Sequence, residues 1–187
     1  MRLFVAVALP SATRDSLAAA VAPVRERSGS PRWIPPERWH ITLVFLGEVD
    51  EAVALPRLHR ALAAAVDDAA PLRLQVAGAG RFPDGGAPRV LWAGVTGDLD
   101  ALTELARATR RAARASKISV ERVAFRAHLT LGRWRQGDDA DRDIDATLAD
   151  YRGPEFEVTE IVLLRSHLGP KPSYDQIGRW TLGSGPQ

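Results

Sequence analysis

Residues 40–49 read HITLVFLGEV and residues 128–133 read HLTLGR, and these two stretches decide the fold. Each opens with the string His-x-Thr-Leu, and the two histidines lie 88 positions apart. The runs RLFVAV, from residue 2, and RVLWAGV, from residue 89, are also alike and start 87 positions apart. Two nearly equal steps predict that the chain is an internal duplication.

The duplication predicts two repeat halves, over approximately residues 1–88 and 89–187, within a single domain that covers 1–187. Apolar, partly β-branched runs predict strands, and leucines at helical spacing predict helices between them. Each half then follows the order β-α-β-α-β-β. Two copies are too few for a solenoid. The predicted fold is therefore an α+β protein of two lobes related by a pseudo-twofold axis.

Three local features sharpen this prediction. Pro23 is expected to kink or end the first helix, since a proline inside a helix removes a backbone donor. Residues 141–151 predict a short helix whose apolar side chains share one face. Residues 156–166, FEVTEIVLLRS, predict one strand.

The composition is that of an ordinary globular protein and excludes several classes of site. The 187 residues contain no cysteine, so disulfides, thiolate metal sites and cysteine nucleophiles are excluded, and the cytoplasm is the default compartment. No apolar run approaches the roughly 18 residues of a membrane span. The opening MRLFVAVALP lacks the basic region of a signal peptide and predicts a strand. Lys117 and Lys171 are the only lysines; arginine suits phosphate, but GC-rich coding is the favoured explanation of its abundance, so the arginine count by itself argues little for nucleic acid.

The two His-x-Thr-Leu strings place reactive side chains together. Side chains alternate along a strand, so His40 and Thr42 share one face and Phe45 is expected in the core. His128 and Thr130 share a face in the same way. A pseudo-twofold axis would bring the two faces opposite each other across a cleft, with two imidazoles and two hydroxyls converging on one spot.

Such a set of groups suits hydrolysis of a phosphodiester without a metal ion. One neutral imidazole takes a proton from the attacking water, and the other, as imidazolium, protonates the departing oxygen. Histidine serves both roles because its ordinary pKa is about 6.5. The threonine hydroxyls can donate hydrogen bonds to the non-bridging phosphate oxygens. The residues alone do not say which histidine is the acid.

Other kinds of site are disfavoured. The strings lack the H-x-H and H-E-x-x-H spacings of metal sites, and no carboxylate accompanies either histidine on its face. No G-x-S-x-G elbow of a serine hydrolase occurs. The remaining histidines are interpreted as structural: His59 on the solvent side of the second helix, and His167 in a turn-forming stretch.

At this point the residues match a known family. The chain resembles the 2H phosphoesterases, and within them the RNA 2′,3′-cyclic phosphodiesterases once described as 2′-5′ RNA ligases. The resemblance implies a bilobal fold with an antiparallel sheet in each lobe around a central cleft. It also implies hydrolysis of a terminal 2′,3′-cyclic phosphate to a 2′-phosphate without a cofactor, with His40 as proton donor and His128 as proton acceptor. The matching segments are RLFVAVALP, HITLVFLGEV, RVLWAGV, HLTLGR and VLLRSHLGPKPSYDQIGRWTL.

Three further residues are candidates for substrate binding. Arg133 follows the second motif as in the subfamily, but strict alternation aims it away from the His128 face unless the strand bulges. Arg126, two positions before His128, shares its face. Tyr174, in the last loop, is a weaker candidate.

The chain departs from the family pattern beside each histidine. Ala127 stands where the family commonly has proline, and Trp39 where it usually has an aliphatic residue. Trp39 and Trp33 are candidates for stacking on a base, with packing in the core or at the cleft rim as the alternative.

The expected partner is RNA with a 2′,3′-cyclic phosphate end, such as a tRNA fragment, or a small cyclic nucleotide. Reverse 2′-5′ ligation is possible at the same site. Two alternatives are a phosphodiesterase for another small or 2′-5′-linked nucleotide, and a non-catalytic module that binds RNA ends. A cytoplasmic monomer with no membrane partner is expected.

Overall fold

The computed structural model describes residues 1–136, 138, 144–169 and 172–183. Within these residues it contains three α-helices, nine strands and two 3-10 turns, the latter at Pro36–Arg38 and Ala146–Leu148. The helices are α1 (Ser11–Arg27), α2 (Ala54–Val66) and α3 (Leu99–Ala115). The strands are β1 (Arg2–Ala8), β2 (Arg32–Trp33), β3 (His40–Glu48), β4 (Leu72–Phe82), β5 (Val90–Gly97), β6 (His128–Arg133), β7 (Arg152–Val158), β8 (Glu160–His167) and β9 (Ser173–Thr181).

The strands form one antiparallel sheet in the order β7-β4-β5-β6-β3-β1-β8-β9, with the short β2 paired to β6. The α+β class with antiparallel sheets is confirmed. The motif strands β3 and β6 lie next to each other at the centre, flanked by the matching strands β1 and β5. Each side of the sheet takes strands from both halves of the sequence, because β4 pairs with β5 and β8 pairs with β1.

The core lies between the helices and one face of the sheet. Ile41 and Leu129, the residues that follow the motif histidines, are completely buried. Leu58 and Leu62 of α2 are buried as well, as the helical spacing predicts. Burying a side chain of this size contributes about 1.5–3 kcal/mol relative to leaving it exposed. The apolar residues of the motifs therefore anchor both central strands.

Two of the predicted elements differ from those observed. Helix α1 does not end at Pro23 but continues to Arg27, and the burial of Val21 and Val24 on either side of the proline offsets its cost of about 3 kcal/mol; a kink at Pro23 stays a prediction. The predicted strand 156–166 is broken at Thr159 into two strands, β7 and β8. Strand β7 is the edge strand at one end of the sheet, and β8 lies next to the edge strand at the other end.

The predicted helix 141–151 is reduced, within the described residues, to the single 3-10 turn Ala146–Leu148. Residues 141–143 lie outside the described part of the chain. Ile144 and Leu148 are nevertheless buried, so the predicted apolar face exists without an α-helix. None of the helices described is long and apolar enough to cross a membrane.

Candidate active site

The two His-x-Thr-Leu strings lie side by side on one face of the sheet, which we call the motif face. Ile41 pairs with Leu129 across β3 and β6, and this register puts His40 beside Thr130 and Thr42 beside His128. The strings thus share one wall instead of facing each other across a gap. The two histidines occupy diagonal positions, which in a sheet are about 7–8 Å apart.

Each histidine is held by the same hydrogen bond. His40 Nδ1 lies 2.8 Å from the carbonyl oxygen of Arg38, and His128 Nδ1 lies 2.7 Å from that of Arg126. A carbonyl oxygen only accepts, so Nδ1 carries the hydrogen and donates it in both rings. The other nitrogen, Nε2, is then the atom of each imidazole that exchanges protons with a ligand.

Both histidines have a lowered pKa. Burial lowers the pKa of His40 from 6.5 to about 4, and the charges of Arg38, His128 and Arg133 add to this effect, against the hydrogen bond to the Arg38 carbonyl. Burial is also the main cause of the lowered pKa of His128, followed by the charges of Arg133 and Arg126. Both rings are therefore neutral at pH 7 in the empty site, and an anionic ligand is needed to favour the imidazolium form.

An arginine and an aromatic ring flank each histidine in the same arrangement. On one side, Tyr174 meets the His40 ring edge-on at 5.4 Å, and the Arg38 guanidinium lies 4.8 Å from the centre of the Tyr174 ring. Arg38 Nη2 also donates to Tyr174 Oη at 3.1 Å. Tyr174 thus reaches the site, but from strand β9 and not from a loop.

On the other side, Phe82 at the end of β4 takes the place of the tyrosine. Its ring meets His128 edge-on at 5.1 Å, and the Arg126 guanidinium lies 4.5 Å from its centre. Arg126, predicted to share the His128 face, is therefore beside that histidine, and its Nη2 lies 3.8 Å from Asp84. The two aromatic rings that meet the histidines edge-on differ chiefly in one hydroxyl group, that of Tyr174.

A bulge in each motif strand brings one more residue onto the motif face. In β3 the pairing with β1 skips Leu43, and in β6 the pairing with β5 skips Leu131. Alternation is reversed beyond each bulge. Arg133 therefore lies on the face of His128, as the bulged alternative predicts. The prediction that Phe45 lies in the core is wrong, since its side chain is 61% exposed and lines the same cavity as Arg133.

Two cavities open beside the histidines, of about 280 Å³ and 330 Å³. The linings described contain no aspartate or glutamate. Among the residues that the structure describes, no group of three or more potential ligand side chains is placed to hold a metal ion. The first cavity is lined by His40, Thr42, Phe45, Thr130, Arg133 and Tyr174, and by Arg32, Trp33, Ile34, Arg38, Trp134, Arg135 and Pro172. The second is lined by His128 with Ala77, Phe82, Trp92, Gly94, Val95, Leu99, Arg126 and Ala127.

The remaining candidates lie elsewhere or at the rim. Trp39 is 5% exposed and donates from Nε1 to the Ile34 carbonyl, so it packs in the core, whereas Trp33 lines the first cavity. His59 is half-buried against Trp180 and does not point simply to solvent. His167 lies in β8 and not in a turn, with Nε2 2.6 Å from Asp175. Neither of these histidines lines a cavity beside the motif face.

Sequence reasoning missed Arg38, Phe4 and Phe82. The signal for Arg38 is present, because both motifs read Arg-x-His-x-Thr-Leu and Arg126 was recognised from the second one. Phe4, whose ring lies 4.8 Å from that of His40, comes from the buried strand β1. Nothing in its sequence context separates it from the core residues around it.

The family model of the 2′-5′ RNA ligase superfamily matches residues 13–170. Among curated proteins, an RNA 2′,3′-cyclic phosphodiesterase of Archaeoglobus fulgidus is 36% identical over 182 residues, which cover 95% of this chain and 98% of that protein. One of Geobacillus stearothermophilus is 33% identical over 98% of this chain. The chain spans only 58% of the length of that second relative.

Solved structures of the same overall shape also match. A crystal structure of a Thermus thermophilus protein superposes with a TM-score of 0.80 at 30% identity and covers both chains completely. The apo form of Escherichia coli LigT superposes with a TM-score of 0.78 at 25% identity, over 97% of this chain and 96% of LigT.

Proposed function

Because the chain belongs to the 2′-5′ RNA ligase superfamily, we propose that it is an RNA 2′,3′-cyclic phosphodiesterase that works by acid–base catalysis with two histidines and no metal ion. The observation that carries this proposal is the matched pair of imidazoles on one face, each with Nδ1 bonded to a backbone carbonyl. The curated relatives that carry this enzyme name support the choice of substrate.

The proposed reaction uses the two Nε2 atoms in sequence. Neutral His128 takes a proton from water, whose oxygen attacks the phosphorus of the cyclic phosphate. The bond from phosphorus to the 3′-oxygen breaks, and the imidazolium of His40 gives its proton to that oxygen. The product carries a 2′-phosphate and a free 3′-hydroxyl. The order of donor and acceptor follows the family resemblance, since the geometry of the two histidines is nearly the same.

Three neighbouring side chains are proposed to hold the phosphate. Thr42 and Thr130 lie beside the histidines and can donate to the non-bridging oxygens. Arg133 lies on the same face beyond the bulge and can grip two phosphate oxygens at once. The negative charge of the substrate raises the pKa of the nearby histidines. Substrate binding thus supplies the imidazolium that the empty site lacks at neutral pH.

Support for a metal-free reaction comes from the chemistry of the lining. The described linings beside the histidines offer imidazole, hydroxyl and guanidinium groups and no carboxylate. Mg²⁺ and Mn²⁺ prefer oxygen ligands, of which carboxylates are the commonest. The charge of the phosphate is therefore balanced by arginine and imidazolium in this proposal.

The experiment that tests the proposal is hydrolysis of a short RNA with a 2′,3′-cyclic phosphate end in the presence of EDTA, followed by phosphorus NMR. A 2′-phosphomonoester formed at an unchanged rate is the expected result. Loss of activity in EDTA would overturn the metal-free mechanism, and a 3′-phosphate product would show that the bond to the 2′-oxygen breaks instead of the bond to the 3′-oxygen. Reverse 2′-5′ ligation is proposed as a minor reaction at the same site, because water at high concentration favours hydrolysis.

A further inference from the structure

The first cavity continues beyond the motif residues into a cluster of arginines and aromatic side chains. Arg32 of β2 lies directly opposite Arg133 of β6 in the sheet, and Arg135 follows two residues later. Trp33 and Phe45 line the same space. We call Arg32, Arg135, Trp33 and Phe45 the distal cluster.

The arginines of this cluster form no ion pair within the part of the chain that the structure describes. Among the described residues, no carboxylate forms an ion pair with the guanidinium of Arg32, Arg133 or Arg135, although the Asp138 carboxylate accepts a hydrogen bond from the Arg135 backbone N–H. Like charges directly opposite each other on neighbouring strands destabilise a sheet. An anion bound between Arg32 and Arg133 would remove this repulsion. The arrangement is therefore more suitable for a bound ligand than for the empty protein.

The distal cluster adds two arginines to the cavity besides Arg133, which is proposed to hold the reacting phosphate. Because the bulge takes up Leu131, Arg133 lies only two ladder positions beyond Thr130, or roughly 7 Å along the strand at about 3.3 Å per position. Arg133 can reach back to the reacting phosphate because an arginine side chain is long. Arg32 lies level with Arg133 on the neighbouring strand, and Arg135 lines the same cavity two residues further along the chain, so a ligand that fills the cavity can place a second anionic group between these arginines.

The aromatic residues indicate what kind of anion this is. The Phe45 side chain is 61% exposed. The equivalent position in the second motif holds Arg133, a charged residue that is expected at the surface. Exposed aromatic rings beside arginines are typical of single-stranded nucleic acid sites, where bases stack on the rings and arginines contact the backbone. A small anion would use the arginines and leave the rings without a role.

We propose that the distal cluster binds the RNA strand on the 5′ side of the terminal nucleotide, with Arg32 and Arg135 on its phosphodiester and Phe45 or Trp33 under its base. This inference rests on the proposed function, since it takes the reacting phosphate to lie at the histidines. It makes the protein selective for an RNA end over a free cyclic nucleotide.

The test compares two substrates, a nucleoside 2′,3′-cyclic phosphate and a trinucleotide that ends in the same group. Arg32→Gln and Arg135→Gln should each lower kcat/KM for the trinucleotide by about tenfold or more, the effect of one lost hydrogen bond to a charged group. The mononucleotide should change less than about twofold, because it has no second phosphate for these arginines to bind. Arg60→Gln, an exposed arginine on α2, is the matched control and should leave both substrates unchanged.

Two results would overturn the inference: equal losses on both substrates, which would place these arginines at the reacting phosphate, or no loss on either.

Binding of a fluorescent trinucleotide 2′-phosphate, followed by anisotropy, separates this inference from the proposed function. If the wild-type protein hydrolyses neither substrate, the proposed enzyme activity is refuted. If Arg32→Gln and Arg135→Gln still bind the trinucleotide more weakly than that wild type, the strand site is retained. Unchanged binding would refute the strand site whatever the activity.

Discussion

Phe45 and Arg133 occupy equivalent positions in the two motif strands, five residues after His40 and His128, and a bulge turns both onto the motif face. The two strands match in their histidines, threonines and bulges, so the site is symmetric up to this point. There it becomes asymmetric, with an aromatic ring on one side and a guanidinium on the other. The proposed RNA end is asymmetric in a corresponding way, since its reacting phosphate lies at Arg133 and a base of the adjoining strand lies at Phe45.

This relationship predicts different kinetic effects of substitutions at Arg133 and Phe45. Arg133→Gln should lower kcat/KM by about 10²-fold through loss of phosphate stabilisation in the transition state. Arg133→Lys should restore only part of it, since an ammonium group cannot make the two parallel hydrogen bonds of guanidinium. Phe45→Ala should act mainly on KM. Steady-state kinetics with a trinucleotide substrate measure both, and an Arg133→Gln enzyme with wild-type kcat/KM would refute the phosphate-binding role.

Replacing either histidine tests the paired mechanism directly. His40→Ala and His128→Ala should each lower kcat by about 10²–10⁴-fold, the range for loss of one proton transfer. The double variant should be little worse than either single one, because groups that act as a unit are not additive. His59→Gln and His167→Gln serve as controls, since these side chains do not line the cavities. Either motif variant with near wild-type kcat would contradict the mechanism.

Part of the fold was predictable because the information is local. Alternation along a strand was enough to put His40 and Thr42 on one face, and helical spacing was enough to find the buried leucines of α2. The break at Thr159 was not predictable in this way, because β7 and β8 separate only to reach different partner strands. The extent of the domain and its repeat boundary stay predictions.

The site shows the same division. The duplicated motif identified the two histidines and two threonines, and the structure places them side by side. The position of Phe45 depends on a bulge against β1, which is set by tertiary pairing and leaves no mark in the alternation of residues 40–49. Phe82 comes from a different strand, and only the folded sheet brings it to His128.

The pH dependence of the rate should differ between kcat/KM and kcat. In the empty site the pKa of His40 is lowered to about 4, so the protonated acid becomes scarce as the pH rises above that value. The substrate charge raises this pKa in the complex. Since kcat/KM reports the free enzyme and kcat the complex, the optimum for kcat/KM should lie at lower pH. The rate is expected to fall on both the acidic and the alkaline side of each optimum, which are the two limbs of the profile. The apparent pKa values of these limbs belong to the coupled histidine pair and not to single residues.

Arg38 should control where the alkaline limb of kcat/KM lies. Its positive charge contributes to the lowered pKa of His40, so Arg38→Gln should raise that pKa and move the limb to higher pH. Arg38→Lys retains the charge and should leave the limb near its wild-type position, although it loses the stacking on Tyr174. If the profile of Arg38→Gln coincides with that of the wild type, the electrostatic role of Arg38 is refuted.

The lowered pKa of His40 also predicts how stability depends on pH. Above about pH 6.5 the side chain is neutral in both the folded and the unfolded chain and contributes no pH dependence. Between 6.5 and about 4 the unfolded chain binds a proton that the folded chain does not, so stability falls as the pH falls. Urea unfolding at about pH 7.5 and about pH 5.5 should therefore show a smaller loss of stability in His40→Gln than in the wild type. The Arg60→Gln control should lose as much as the wild type, and an equal loss in His40→Gln would contradict the prediction.

The hydroxyl of Tyr174 is the chief difference between the two flanks of the site, and removing it separates ring contact from hydrogen bonding. Tyr174→Phe gives the His40 side the same aromatic partner that Phe82 provides for His128. It removes one hydrogen bond from Arg38, so kcat should fall by no more than about tenfold, in keeping with a net contribution of about 0.5–1.5 kcal/mol. Tyr174→Ala also removes the ring that packs against the His40 imidazole at 5.4 Å, and misplacing a catalytic group costs far more, up to about 10²-fold. Steady-state kinetics of both variants, with circular dichroism to check folding, decide the matter. Equal losses in the two variants would show that the hydroxyl, and not the ring, is what matters at this position.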